Sequence, residues 1–176
     1  MKPRIIPVDI PPSCRLAADV EGSYFHDAFE IELDTTGRSA MSLYLAAASL
    51  TPKWVDALMS VRNRMVSLVG LKNLGTLSAL DPHKPASAYK VGERVGIFTL
   101  LHVSDDEVVL GDADKHLHVK VSVCRVTQGV RQTVVVSNVV CVHNTLGKVY
   151  MFFVEPIHKR ITPAMMAHFP QAASAA

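Results

Sequence analysis

The sequence predicts one mixed α+β domain, and three observations carry that expectation. Residues 92–143 alternate between apolar and polar side chains almost throughout, a helical apolar period runs from Trp54 to Val69, and another follows Asn144 toward the C-terminus. Alternation at two reads as half-buried strand, and recurrence at three and four reads as amphipathic helix. A chain of 176 residues suits a single domain that buries roughly two-thirds of its unfolded surface. Its 49% apolar and 19% charged residues exclude disorder for most of its length and leave enough apolar side chains to line a cavity.

The elements follow in order. Residues 1–23 form an arm broken up by Pro3, Pro7, Pro11 and Pro12. Asp27–Asp34 is the first expected strand, with Phe29, Ile31 and Leu33 on one face and Glu30 and Glu32 on the other. Met41–Leu50 is short and rich in Ala and Leu. Thr51 then offers an N-cap and Pro52 a first helical residue for a second helix, with Trp54, Val55, Leu58, Val61, Met65, Leu68 and Val69 as its stripe and Gly70 at its end. Residues 71–91, with Gly75, Pro82 and Pro85, read as a long surface loop of the kind that serves as a lid. Glu93–Val103, Glu107–Gly111, His116–Val126 and Val130–His143 read as a four-stranded antiparallel meander in which Leu117, Val119, Val121 and Val123 face the last helix. Asn144 caps that helix, whose expected inward stripe is Leu146, Val149, Tyr150, Phe153, Ile157, Ile161 and Met165. Pro156 and Pro163 predict a kink near Phe152 and a break or second kink near Lys159. The domain is expected over 24–170, with a frayed tail over 171–176.

An antiparallel sheet wrapped around a long C-terminal helix, with two short helices between strands 1 and 2, is the helix-grip arrangement, in which a cavity often remains between helix and sheet. A cystatin-like or other sheet-on-helix α+β fold fits the same order of elements.

Composition narrows the partners. With 18 Lys+Arg against 16 Asp+Glu, scattered along the chain, nothing forms a basic stripe, so no nucleic acid is expected. No apolar run approaches the ~20 residues of a membrane span, and the prolines interrupt any signal-peptide core at the N-terminus. The three cysteines, Cys14, Cys124 and Cys141, are an odd number without CxxC spacing, which fits buried thiols in a reducing, cytoplasmic setting. A small apolar molecule is the expected partner, no cofactor is expected, and a homodimer is compatible with the sequence.

Candidate chemistry is sparse. Asp112, Asp114, His116 and His118 stand at every second position, so an extended strand would align them as metal ligands. Turn-forming aspartates and a solvent face are the stronger reading, because no companion ligand motif accompanies them, and no metal is expected. His143 and Asn144 lie at the junction of last strand and helix, where a structural cap is the stronger reading and a ligand contact the alternative. His158 stands four residues after Val154 on the helix edge, and Tyr150 brings a hydroxyl to an apolar stripe. No nucleophile elbow, phosphate loop or CxxC pair is present.

Several short segments resemble a known family. Glu107–Gly111 (EVVLG) leads into Asp114–Leu117 (DKHL); His143 and Asn144 are followed by Leu146, Gly147, Lys148 and Tyr150; and Pro156 is followed by His158. From about Tyr24 to Phe169 the chain resembles bacterial domain-of-unknown-function family 2867, grouped with polyketide-cyclase, START and birch-pollen-allergen-like proteins. Lys115, Lys148 and Ile157 depart from the Arg, Arg and Phe usual there, and a lysine offers a point charge in place of a planar guanidinium. The resemblance implies the helix-grip fold and a cavity but no established reaction. Ligand binding by Tyr150, His158, His143, His116 and Asn144 is the leading expectation. A cyclase- or dehydratase-like enzyme using His158, His143 or Tyr150 as acid or base is the second, and an interaction domain with a filled core is the third.

Overall fold

The computed structural model describes residues 4–67, 80–81 and 83–170. Gly70, the 71–79 part of the expected loop and the 171–176 tail lie outside the described residues. Among those described, seven antiparallel strands form one sheet in the order β1-β2-β7-β6-β5-β4-β3. They are β1 (Ile5–Pro7), β2 (Phe25–Glu32), β3 (Arg94–Val95), β4 (Phe98–Val103), β5 (Glu107–Ala113), β6 (Leu117–Gln128) and β7 (Arg131–Val142). Helices α1 (Ala40–Ser49) and α2 (Lys53–Ser67) lie between β2 and β3, and α3 (Thr145–Met166) closes the chain. This is the α+β plan the sequence predicts, an antiparallel sheet with a long C-terminal helix. The two helices follow β2 because the arm contributes an edge strand, β1, before the strand expected first.

The meander is present with one refinement. Its first expected strand is divided at Gly96, whose φ of 60° suits glycine, into β3 and β4, and the β4–β5 register shifts between Leu100 and His102. Period two then assigns every central residue to a face. Val134, Val136, Asn138 and Val140 of β7 share a face with their partners Ile31, Phe29, Asp27 and Phe25 of β2 and with Val123, Val121, Val119 and Leu117 of β6. That face carries the main core, in which Ile31, Val123, Val134 and Val136 pack with Met41, Leu43 and Tyr44 of α1 and with Met166 and Phe169. Leu117 and Val119 pack with Phe25, Val140 and Met151 under the first half of α3. The opposite face is covered by the arm, where Leu16 of the 3-10 turn Arg15–Asp19 meets Val109 and Val139.

Two helix ends differ from expectation for identifiable reasons. The Thr51 hydroxyl donates to the Ala48 carbonyl at 2.6 Å, finishing α1 instead of capping α2, and α2 begins at Lys53. Of the expected α2 stripe, Val55 is fully buried whereas Trp54 and Val61 are 44% and 56% exposed. Helix α3 runs without a break through both prolines. It is also turned from the expected orientation: Gly147, Met151, Thr162 and Met166 are buried, and Val149, Phe153 and Ile157 are exposed. One position corresponds to about 100° of rotation, so the inward stripe is the one immediately beside that expected from hydrophobicity. The sheet accounts for the choice. Asp27 and Asn138 project polar groups toward α3, and only the face carrying His158 and Thr162 can meet them.

Candidate functional site

The five residues singled out in the sequence fall into two groups along α3. At its N-terminus, the Asn144 side chain accepts from Gly147 N at 3.1 Å and donates to the Lys115 carbonyl at 3.1 Å, tying the first turn to the β5–β6 connection. The His116 Nδ1 lies 3.1 Å from Asn144 Oδ1, and the His116 carbonyl accepts from His143 N at 2.8 Å. His116 is buried, and its Nε2 has no hydrogen-bond partner among the described residues. Gly147 makes the close approach possible, since a Cβ there would stand 2.5 Å from the His116 carbonyl oxygen. His143 turns to the arm side, where its Nε2 lies 3.2 Å from His118 Nδ1. Partial burial lowers the His118 pKa, and the neighbouring His143 and Lys120 push it the same way while Asp19 opposes them.

The second group lies beneath the middle of α3. Asn138 Nδ2 donates to Asp27 Oδ1 at 2.8 Å and to Thr162 Oγ1 at 3.0 Å, so one amide links β2, β7 and the helix. His158 sits one helical turn before Thr162, edge-on to Phe25 with ring centroids 5.8 Å apart. Burial holds His158 below the usual histidine range, although the Asp27 carboxylate acts in the opposite direction. The imidazole is therefore neutral at pH 7. Asp27 Oδ2 and His158 Nδ1 are both buried, and neither has a hydrogen-bond partner among the described residues. Tyr150 packs against the Phe25, Val140 and Met151 cluster, two helical turns from His158.

Asp27 also lines a groove of about 570 Å³ that runs past the end of β1. Val8, Ile10, Ala17, Val20 and Phe29 supply apolar wall, and His26 and Lys159 supply polar groups. Lys159 additionally lies over the Phe25 ring, 5.6 Å from its centroid. A second, more polar concavity of about 460 Å³ lies on the arm side around Arg15, Asp19, His102 and Lys120, and the Lys120–Asp19 ion pair at 2.6 Å crosses it. The groove beside Asp27 offers an apolar wall and polar groups from Asp27, His26 and Lys159, which together can orient a molecule of mixed polarity.

The alternating Asp112, Asp114, His116 and His118 do not converge. Asp112 pairs with Arg94 at 2.9 Å, Asp114 Oδ1 accepts from the backbone N of His116 and Leu117 in the turn, and His118 faces the arm. Asp27, Asn138 and Thr162 escaped the sequence reading. The signal was there for two of them: Asp27 continues the Phe29 and Ile31 face by one step, and Asn138 interrupts a valine run on its inward position.

No curated protein and no solved structure matches the chain. A family model described as "Protein of unknown function (DUF2867)" matches residues 20–165. The matched span contains Asp27, Asn138, His158 and Thr162 together with the residues at the start of α3, and it leaves the arm up to Asp19 outside. The chain belongs to the DUF2867 family.

Proposed function

We propose that this protein is a binding module for a small, largely apolar or aromatic molecule that carries a hydrogen-bond-donating group. On a helix-grip reading of the sheet and terminal helix, the ligand lies between β2 and α3, with the groove beside Asp27 as its entrance. The observation that carries this reading is the pair of buried polar atoms, Asp27 Oδ2 and His158 Nδ1, without hydrogen-bond partners among the described residues. Buried polar groups are almost always paired, and leaving one unpaired costs about 1–3 kcal/mol, more for a charge. A hydroxyl or amine delivered past Phe25 and Phe29 relieves that cost and fixes the ligand's orientation. Tyr150 and His158 flank Phe25 on the helix side, while His116, Asn144 and His143 hold the start of α3 in place around them. The free cysteines fit a cytoplasmic setting.

An enzymatic reading rests on the same pair. A neutral imidazole beside a carboxylate is poised to take a proton, as a cyclase- or dehydratase-like reaction on a bound carbonyl compound needs. One experiment separates these readings. Native mass spectrometry of freshly purified protein is expected to show a retained small molecule, lost in His158→Leu while the circular dichroism spectrum stays unchanged. Conversion of that molecule during incubation, absent in His158→Leu, favours the enzyme. Ligand-free protein that also fails to bind a panel of phenols and aromatic amines refutes both.

A further inference from the structure

On the face of the sheet away from α3, Cys14, Glu107 and Cys124 come together beneath the arm. Glu107 and Cys124 are directly paired residues of β5 and β6, and Cys14 immediately precedes the 3-10 turn that packs over them. All three are buried, and one sulfur or carboxylate oxygen from each lies within 4.8 Å of the other two. The Glu107 carboxylate accepts from Arg15 N at 3.0 and 3.1 Å and from Ser122 Oγ at 2.7 Å. Among the described residues no Lys, Arg or His pairs with it. Buried carboxylates are ordinarily compensated by a cation, from a side chain or a metal.

We propose that Cys14 Sγ, Cys124 Sγ and the Glu107 carboxylate bind one Zn²⁺ ion, which fastens the N-terminal arm to the sheet. This site is separate from the groove beside Asp27 and does not depend on it.

Zinc binds sulfur at about 2.3 Å and carboxylate oxygen at about 2.0–2.2 Å, which sets tetrahedral donors roughly 3.3–3.8 Å apart. The three donor atoms therefore need to close by no more than ~1.5 Å, within reach of side-chain rotation. Two sulfurs favour zinc over magnesium or calcium, which take oxygen donors. Three protein ligands leave the fourth tetrahedral position to a small exogenous donor such as water.

Binding converts Zn²⁺ and two thiols into two metal-bound thiolates and releases two protons to solvent. Two thiolates and a carboxylate cannot share a buried site without a cation, so the apo site keeps protonated sulfur.

The test uses the full reduced chain after chelation and metal titration. One Co²⁺ per chain is expected, with thiolate-to-cobalt charge-transfer absorbance and the visible bands of a tetrahedral site, both displaced by Zn²⁺. Cys14→Ser and Cys124→Ser should each weaken Zn²⁺ binding at least tenfold, whereas Cys141→Ser should leave it unchanged. Wild-type protein needs no variant for the companion measurement: Zn²⁺ should shield two of its three thiols from alkylation and raise its Tm. Absence of the charge-transfer band, or a band that persists in the Cys14→Ser/Cys124→Ser double variant, overturns the proposal. So does wild-type protein whose thiols and Tm ignore Zn²⁺.

Discussion

Replacing Gly147 by alanine should destabilise this protein, although in most helices the same change stabilises. Alanine is favoured over glycine by about 0.8–1.0 kcal/mol in a helix interior, and less in the first turn where Gly147 stands. Against that gain, the new Cβ would lie 2.5 Å from the His116 carbonyl oxygen and 2.8 Å from a Val142 methyl. The carbonyl is the acceptor for His143 N, so it cannot retreat without stretching that 2.8 Å bond, and the His116 imidazole is held in turn against Asn144. Overpacking of this kind costs about 1–3 kcal/mol, and a strained hydrogen bond adds about 1 kcal/mol. The net effect is a loss of about 2 kcal/mol, a drop in Tm of about 4–8 °C for a chain of this size. Urea denaturation of both proteins, followed by circular dichroism, reads it directly. An unchanged or raised midpoint with an unchanged slope would refute the close approach of α3 to the β5–β6 connection.

Three further predictions address the middle of α3. Because the folded-state pKa of His158 is depressed, the unfolded chain binds more protons below pH 6.5, so stability is full above that pH and falls as pH drops, by at most about 1.4 kcal/mol per unit. The slope of stability between pH 6.5 and 5 should flatten in His158→Gln, and a slope identical to wild type would show that the imidazole is not buried neutral. Asn138→Ala removes the donor shared by Asp27 and Thr162 and should cost about 2–4 kcal/mol in chemical denaturation; a loss below about 0.5 kcal/mol would break the inferred network. Phe152→Ser and Phe153→Ser, at side chains 73% and 66% exposed, should change stability by no more than about 0.5 kcal/mol, and a large loss would mean that α3 is rotated from its described orientation.

The sheet was legible because its information is local. Leu117, Val119, Val121 and Val123 alternate with polar residues over a full strand, and a one-residue slip would move all four to the opposite face, so period alone assigns them a common face. The rotation of α3 was not legible from hydrophobicity. Val149, Phe153 and Ile157 make a better apolar stripe than Gly147, Met151, His158 and Thr162, yet the latter face inward because the sheet offers Asp27 and Asn138 at that point. The Asn138 bond to Thr162 offsets part of that lost apolar burial, since leaving a buried polar group unpaired costs about as much as burying one apolar side chain gains. The Asn144 cap was readable from its position, but its bonds to His116 and Lys115 required knowing that the β5–β6 turn comes back beneath the helix. Cys14 and Cys124 are separated by more than half the chain, and neither carries a local mark of the other.

The two faces of the sheet thus pose opposite problems with the same kind of residue. Beneath α3, half-buried Asp27 lines an open groove, with His158 beside it and one buried oxygen unpaired among the described residues. Beneath the arm, Glu107 is buried with Ser122 and the Arg15 backbone bonded to it and two thiols beside it, closed over by the 3-10 turn. An acceptor that reaches a groove can be satisfied by something that comes and goes, whereas one sealed under an anchored segment can be satisfied only by something retained with the fold. That difference in access is the physical ground for assigning exchangeable ligand to the first and a resident cation to the second. Removing zinc should loosen the arm, and Val8, Ile10 and Ala17 of that arm form one wall of the groove. Chelation is therefore expected to weaken ligand binding beside Asp27, and by linkage loss of the ligand should weaken zinc binding by the same factor. Ligand affinity that is the same with and without bound zinc would show that the arm keeps its place through Leu16, Val109 and Val139 packing alone.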